Sequence, residues 1–134
     1  MPVVFKTTPP PFKVHLRDSW IEFRYPKPSE LRVCLTSAYE DGKPLKGGGN
    51  EQTINSIKYH QGIIRDFATN WGGGFVDTVG APLPFDAASL ESWLEYADPL
   101  DLVHYADAVS APAKHLREVA ESAGKASAGG LEPA

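Results

Sequence analysis

The chain has 134 residues, a length that fits one domain and leaves no room for a second domain of ordinary size. Its 13 basic and 17 acidic residues give a net charge of −4 without any long run of like charges, which argues against nucleic-acid binding. The single cysteine, Cys34, excludes an intramolecular disulfide framework.

The first segment, residues 1–11, is predicted to form an extended arm. It ends in Pro9-Pro10-Pro11, and prolines withhold backbone donors and favour an extended chain. Its apolar start is too short for a signal peptide, and no stretch of the sequence approaches the roughly 18 apolar residues of a membrane-spanning helix. We therefore expect no membrane partner and a cytoplasmic location.

Two segments with alternating apolar and polar residues follow the arm. They cover residues 12–16 and 19–25 and are separated by the polar pair Arg17-Asp18, which predicts a β-hairpin. An isolated hairpin is marginally stable in water. We therefore expect the apolar face of this hairpin to pack on helices.

The next two segments are predicted to be a helix and a loop. Ser29 is placed to cap a helix over residues 30–39, and residues 40–49 have the glycines and polar residues of a loop. Gly47-Gly48-Gly49 before a helix invites a phosphate-loop interpretation. The spacing of a phosphate loop is absent, however, so a connecting loop is favoured.

The strongest helical pattern runs over residues 51–71, with Asn50 as its cap. One apolar stripe recurs at three and four residue spacings and ends at Trp71. A joint of residues 71–85 follows. Three glycines free its backbone after Trp71, whereas Pro82 and Pro84 stiffen it before Phe85.

Three further helices are predicted after the joint. Asp86 can cap residues 87–96, and the pair Asp98-Pro99 begins a helix that Pro112 ends or kinks. A weaker amphipathic pattern covers residues 113–123 and gives way to a segment rich in Ala, Gly and Ser.

Together these segments predict an α+β fold in which an N-terminal β-hairpin packs on a small bundle of about four to five helices. The predicted organisation is an extended Pro-rich arm (1–11), a single globular domain (12–111), and a weak helix with a flexible tail (112–134).

The sequence carries no recognisable set of catalytic, cofactor-binding or metal-binding residues. Its four histidines lie in different elements and lack zinc-site spacing. Cys34 lies on the apolar side of a predicted helix, where a small buried residue is the common outcome. The acidic run from Glu91 to Asp101 fits a solvated face with helix-start carboxylates better than a cation site.

The pattern of the joint resembles that of the tail assembly chaperones of long-tailed bacteriophages. The resemblance covers about residues 12–110, and the joint is similar to a W-x-G-V-x-D-x-x-G-x-P-x-P-F type segment, with one more residue between the Trp and the Asp. The matching residues are Trp71, Asp77, Gly80, Pro82, Pro84 and Phe85. Gly73 and Gly74 depart from the mixed polar residues of that segment.

The resemblance implies a protein without catalytic activity that binds the tape-measure protein and the tail-tube protein in the host cytoplasm during tail assembly. Two other functions stay open. One is a structural phage component, such as a head-tail connector or a tail-completion subunit, and the other is a small enzyme that uses Cys34 or a histidine. The sequence also leaves a homo-oligomer open.

A chaperone for a long helix needs an apolar groove. The large apolar residues of the joint and of the helix after it are the candidates for that partner-binding groove. They are Trp71, Phe75, Leu83, Phe85, Trp93 and Leu94. The alternative for each of these residues is a place in the hydrophobic core.

Overall fold

The protein is organised around a three-stranded antiparallel sheet in which the N-terminal hairpin gains a third strand from the middle of the chain. The computed structural model describes residues 8–130, which contain five helices and two small antiparallel sheets. In chain order the elements are β1 (Phe12–Leu16), β2 (Ser19–Phe23), α1 (Pro28–Ser37), β3 (Tyr39–Pro44), β4 (Asn50–Ile54), α2 (Ser56–Phe67), β5 (Ala68–Gly73), α3 (Ala87–Tyr96), α4 (Pro99–Ser110) and α5 (Pro112–Gly130). The predicted α+β class, with an N-terminal hairpin on helices, is confirmed.

The larger sheet has the order β1-β2-β5, and one of its faces forms half of the core. Alternate residues of the strands are buried on this face, because successive side chains of a strand point to opposite sides. The buried residues are Phe12, Val14, Ile21, Phe23 and Trp71. The other half of the core comes from α2, α3 and α4, with α2 packed directly on α4.

The prediction of one helix over residues 51–71 is wrong at both ends. Residues 50–54 form β4, the helix α2 covers only Ser56–Phe67, and residues 68–73 form β5. The cap is Asn55, whose side chain accepts a hydrogen bond from the Lys58 backbone N–H, rather than Asn50. Beyond Phe67 the chain pairs with β2, and these sheet hydrogen bonds outweigh the helical periodicity of the sequence.

The loop predicted over residues 40–49 is largely a second hairpin. β3 and β4 pair with each other, and every residue of both strands is exposed. The turn between them contains Gly47, Gly48 and Gly49, all with positive φ angles of 77° to 106° that other residues rarely adopt. The three glycines therefore allow the chain to reverse direction between β3 and β4.

The first helix begins earlier than predicted. Its N-cap is Lys27 rather than Ser29, and Glu30 accepts a hydrogen bond from the Lys27 backbone N–H at 3.1 Å. Glu30 also forms an ion pair with Arg24 at 2.7 Å, which lowers the pKa of the Glu30 carboxyl group. Tyr39, predicted to end this helix, is the first residue of β3.

The predicted cap of α3 and the predicted start of α4 are confirmed. Asp86 accepts a hydrogen bond from the Ser89 backbone N–H at 2.7 Å, and Asp98 accepts one from Leu100 at 2.8 Å. The last helix, α5, reaches Gly130, where the sequence predicts a weak helix followed by a flexible tail. Parts of the predicted arm (1–7) and tail (131–134) lie outside the described residues. Between residues 8 and 130, no helix combines the length and apolarity needed to cross a membrane.

Candidate partner-binding cleft

The joint of residues 71–85 folds back on itself and is closed by hydrogen bonds. The Leu83 backbone N–H donates to the Phe75 carbonyl oxygen at 2.9 Å, and the Trp71 Nε1–H donates to the Leu83 carbonyl oxygen at 2.9 Å. Near its tip, the Asp77 carboxylate accepts hydrogen bonds from two backbone N–H groups, those of Val79 and Ala81. The joint is therefore an ordered loop with fixed ends.

The glycines at the start of the joint allow two backbones to touch. Gly73 has a φ angle of 74°, and a Cβ atom on it would lie 2.1 Å from the Asp18 carbonyl oxygen. The Gly74 backbone N–H donates to the same oxygen at 3.2 Å. The sequence predicts a freely moving backbone here, whereas in the structure the glycines fasten the joint to the turn of the β1–β2 hairpin.

Four aromatic rings form a continuous series under the joint. Trp71 stacks on Phe75 with ring centroids 4.4 Å apart and planes 4° from parallel. Phe75 meets Trp93 edge to face at 5.6 Å, and Trp93 meets Tyr105 in the same way at 5.8 Å. Such contacts add stability beyond the apolar area they bury. The series links β5 and the joint to α3 and α4.

The last three rings of this series, with Leu83, line an open cleft of about 340 Å³ between the β1–β2 turn and the joint. We call it the aromatic cleft. At its mouth, the Arg17 guanidinium forms an ion pair with Asp101 at 2.7 Å, and the side chain of Arg17 stays 68% exposed. Val76 also lines the cleft and is 44% exposed. The cleft therefore has an apolar floor and a charged, accessible mouth.

The six residues that the sequence places near a partner groove have different surroundings in the structure. Phe75, Leu83 and Trp93 are half-buried and line the cleft. Trp71 and Leu94 are 5% and 1% exposed and belong to the core. Phe85 is half-buried and packs against the Trp71 ring at 5.4 Å. The structure thus brings three of the six to an open surface and puts the others behind it.

Sequence reasoning missed the other residues that line the cleft, among them Tyr105 and Arg17. Tyr105 follows Leu102 at a three-residue spacing on α4, so its place on the inner face was open to prediction from periodicity. Arg17 reaches the cleft from the β1–β2 turn, where its φ angle is 56°. No local signal indicates that this turn lies beside α4, because the contact with Asp101 joins residues 84 positions apart.

Comparisons of the chain with models of protein families, with curated proteins and with solved structures found no match. Support for a function of the aromatic cleft therefore comes from its geometry and from the pattern of the joint.

The surroundings of Cys34 are the reverse of what a nucleophile requires. The thiol is 5% exposed and donates a hydrogen bond to the Asp66 carboxylate at 3.3 Å. Burial, followed by this hydrogen bond and the charge of Asp66, raises the pKa of Cys34 to about 12. The neighbouring small cavity is lined by Ser37, Lys58, Gly62, Arg65 and Asp66, without a histidine.

The remaining chemical groups do not assemble into a metal site. Within the part of the chain that the structure describes, no three His, Cys, Asp or Glu residues are placed to hold a metal ion. In the acidic run, Glu91 forms an ion pair with Arg65, Asp98 caps α4, and Asp101 pairs with Arg17. These carboxylates therefore cap a helix or form ion pairs.

The Cys34 thiol is expected to react at least about 30-fold more slowly with iodoacetamide in the native protein at pH 8 than in the urea-unfolded chain. Raising its pKa from 9.0 to about 12 lowers the thiolate fraction by roughly a thousandfold. The greater nucleophilicity of a more basic thiolate offsets about 20 to 30-fold of this, and burial slows the reaction further. Mass spectrometry of timed samples measures both rates.

The matched variant for this experiment is Asp66→Asn, which keeps the shape of the side chain and removes its charge. Its thiol is expected to react faster than that of the parent protein but more slowly than the unfolded chain, because burial remains the largest cause of the shift. A native thiol that reacts as fast as the unfolded one would contradict the buried, protonated state.

Proposed function

We propose that this protein is a phage tail assembly chaperone that binds the tape-measure protein and tail-tube subunits in the host cytoplasm and performs no catalysis. One observation carries the proposal. Phe75 and Leu83 of the family-like joint, with Trp93 of α3, line an aromatic cleft that is open to solvent. In an ordered joint this cleft is a preformed surface for another chain.

The chemistry of the cleft suits an amphipathic helix. Aromatic residues and arginine dominate the binding energy of protein interfaces, and a pocket with a polar rim is their usual setting. The floor has Phe, Trp and Tyr rings, and the mouth has Arg17 beside Asp101. An apolar side chain of a partner helix would enter the cleft, while the polar face of that helix would meet the charged mouth.

Exposed apolar side chains of the joint and of the α3–α4 region favour a protein partner. Three of them are candidates for further contact with it, because exposed apolar surface is a common mark of interaction sites. They are Val76 (44%), Tyr96 (82%) and Leu100 (77%). The moderate net charge of −4 is also compatible with reversible binding to a largely apolar helix.

The proposed partner is tested in two ways. First, a tape-measure gene next to the gene for this protein is expected. Second, the protein expressed with that tape-measure protein is expected to hold it in solution and to be missing from purified mature particles. Its presence in particles at a fixed stoichiometry would contradict the chaperone role and favour a connector or tail-completion subunit.

The role of the cleft is tested by Val76→Glu, which places a carboxylate at the mouth without removing a core side chain. Val76→Glu is expected to weaken capture of the tape-measure protein by about tenfold or more, because a bound helix would bury an unpaired charge. Isothermal titration or a pull-down at graded concentrations measures the loss.

The matched control is Val79→Glu, since Val79 lies in the same joint, is 85% exposed and does not line the cleft. It is expected to bind as the parent protein does. Urea unfolding of both variants establishes that they share the stability of the parent. Equal binding by the parent and Val76→Glu would show that the partner binds outside the cleft.

A further inference from the structure

Two histidines meet where α5 leaves α4. The rings of His104 on α4 and His115 on α5 face each other edge to plane, with centroids 6.4 Å apart. His104 Nε2 donates a hydrogen bond to the His15 carbonyl oxygen of β1 at 2.9 Å, which connects α4 to the edge of the sheet. A cavity of about 460 Å³ lies beside the pair and is lined by both helices.

His115 is the constrained member of this pair. Its Nε2 atom is buried and has no hydrogen-bond partner among the residues that the structure describes. Burial, followed by the neighbouring His104, lowers the pKa of His115 below its ordinary value. The groups that face His115 are His104 and Asp107 of α4, the more distant His15 of β1, and Lys114 and Glu118 of α5. Among them, Glu118 opposes the shift without reversing it.

The connection between the two helices is a one-residue hinge. α4 ends at Ser110, and α5 begins at Pro112, which cannot continue the hydrogen bonding of α4 because it lacks a backbone N–H. Further along α5, Leu116 and Val119 remain 41% and 49% exposed. Within residues 112–123, Pro112 is buried, His115 is half-buried and the others are exposed, so the contact of this part of α5 depends on its first turn.

We propose that the His104–His115 pair is a pH-sensitive clasp that holds the first turn of α5 on α4 while the His115 ring is neutral and weakens when that ring is protonated. A protonated His115 carries an N–H on both ring nitrogens. Its Nε2–H would then be buried without an acceptor, and its charge would lie beside His104. If α5 moves outward about the hinge, the Nε2–H and the charge of His115 become hydrated.

The pH range follows from the sign of the pKa shift. The docked helix keeps the pKa of His115 below 6.5, whereas a released helix restores it to about that value. The released state therefore binds the additional proton as the pH falls. Docking is fully present above pH 6.5, weakens as the pH falls below it, and is weakest below the lowered pKa.

NMR of the full chain between pH 8 and pH 5 tests the clasp. Nuclear Overhauser contacts between the His104 and His115 rings are expected to be strong at pH 8 and weaker at pH 5. Over the same range, the amides of residues 115–123 are expected to lose at least about fivefold in protection, after correction for intrinsic exchange, while those of α2 are unchanged. Ring contacts of equal intensity at pH 8 and pH 5 would overturn the proposal.

The decisive variant is His115→Phe, which keeps an aromatic ring and removes the titrating group. Its α5 amides are expected to be equally protected at pH 8 and pH 5. His60→Phe is the control, since His60 lies on α2 against Tyr59 and is expected to leave the pH dependence intact. The ring titration of His115 in the parent protein is independent of any variant, and a pKa at or above 6.5 would also overturn the clasp.

Discussion

Gly73→Ala is expected to lower the free energy of unfolding by about 3 kcal/mol or more. The added Cβ atom would lie 2.1 Å from the Asp18 carbonyl oxygen and 3.0 Å from the Ser19 Cα atom, so the strand and the turn must separate. Overpacking a tight site costs about 1 to 3 kcal/mol. The positive φ angle of Gly73 adds about 1 to 2 kcal/mol of backbone strain for a residue with a side chain.

Gly80→Ala is the matched control, because it isolates the backbone strain from the collision. Gly80 has a φ angle of 84°, but no atom lies within 4 Å of its added Cβ. It is expected to lose only about 1 to 2 kcal/mol. Urea unfolding followed by tryptophan fluorescence measures both variants. Similar losses of stability in Gly73→Ala and Gly80→Ala would show that the β1–β2 turn moves aside at little cost. The contact of Gly73 with that turn would then not fix the joint.

Trp71→Ala is expected to lower the free energy of unfolding by about 3 to 5 kcal/mol, as for other large core residues. Trp71 is 5% exposed, pairs across the sheet with Ile21, and stacks on Phe75. Its removal also leaves the Leu83 carbonyl oxygen without the indole N–H, which loosens the closed joint. The aromatic cleft would lose the support behind Phe75.

Val79→Ala is the control for this variant, since Val79 is 85% exposed in the same joint and its truncation is expected to change stability by no more than about 0.5 kcal/mol. Trp71→Phe separates the hydrogen bond from the packing and is expected to show an intermediate loss. Thermal or urea unfolding measures all three. A loss below about 1 kcal/mol for Trp71→Ala would contradict the place of Trp71 in the core.

The candidate site was accessible to sequence reasoning only in part. The joint stands out from its glycines, prolines and aromatic residues, and Phe75, Leu83 and Trp93 were named from composition and spacing. Which of the six named residues face solvent was not accessible, because the residue type does not decide it: one tryptophan lies in the core at position 71 and another lines the cleft at position 93. Burial depends on what packs opposite, and the residues opposite are distant in sequence.

The helical region shows the same division. The starts of α3 and α4 were predicted to the residue, because Asp86 and Asp98 act on backbone groups two or three positions away. The segment 68–73 was misassigned because its sequence continues the helical stripe of α2. Its pairing with β2 joins residues about 50 positions apart, and no short window of sequence contains that partner.

By itself, the sequence of this protein determined what local chemistry controls: the N-terminal hairpin, the starts of α3 and α4, the burial of Cys34, and the α+β class. The tertiary structure alone decided that β5 completes the sheet, that Gly73 lies against the β1–β2 turn, and that Arg17 meets Asp101 at the mouth of the aromatic cleft. The physical reason is the sequence separation over which each interaction acts. Capping and strand alternation act over a few residues, whereas sheet pairing and cleft formation depend on contacts between segments that the chain brings together only on folding.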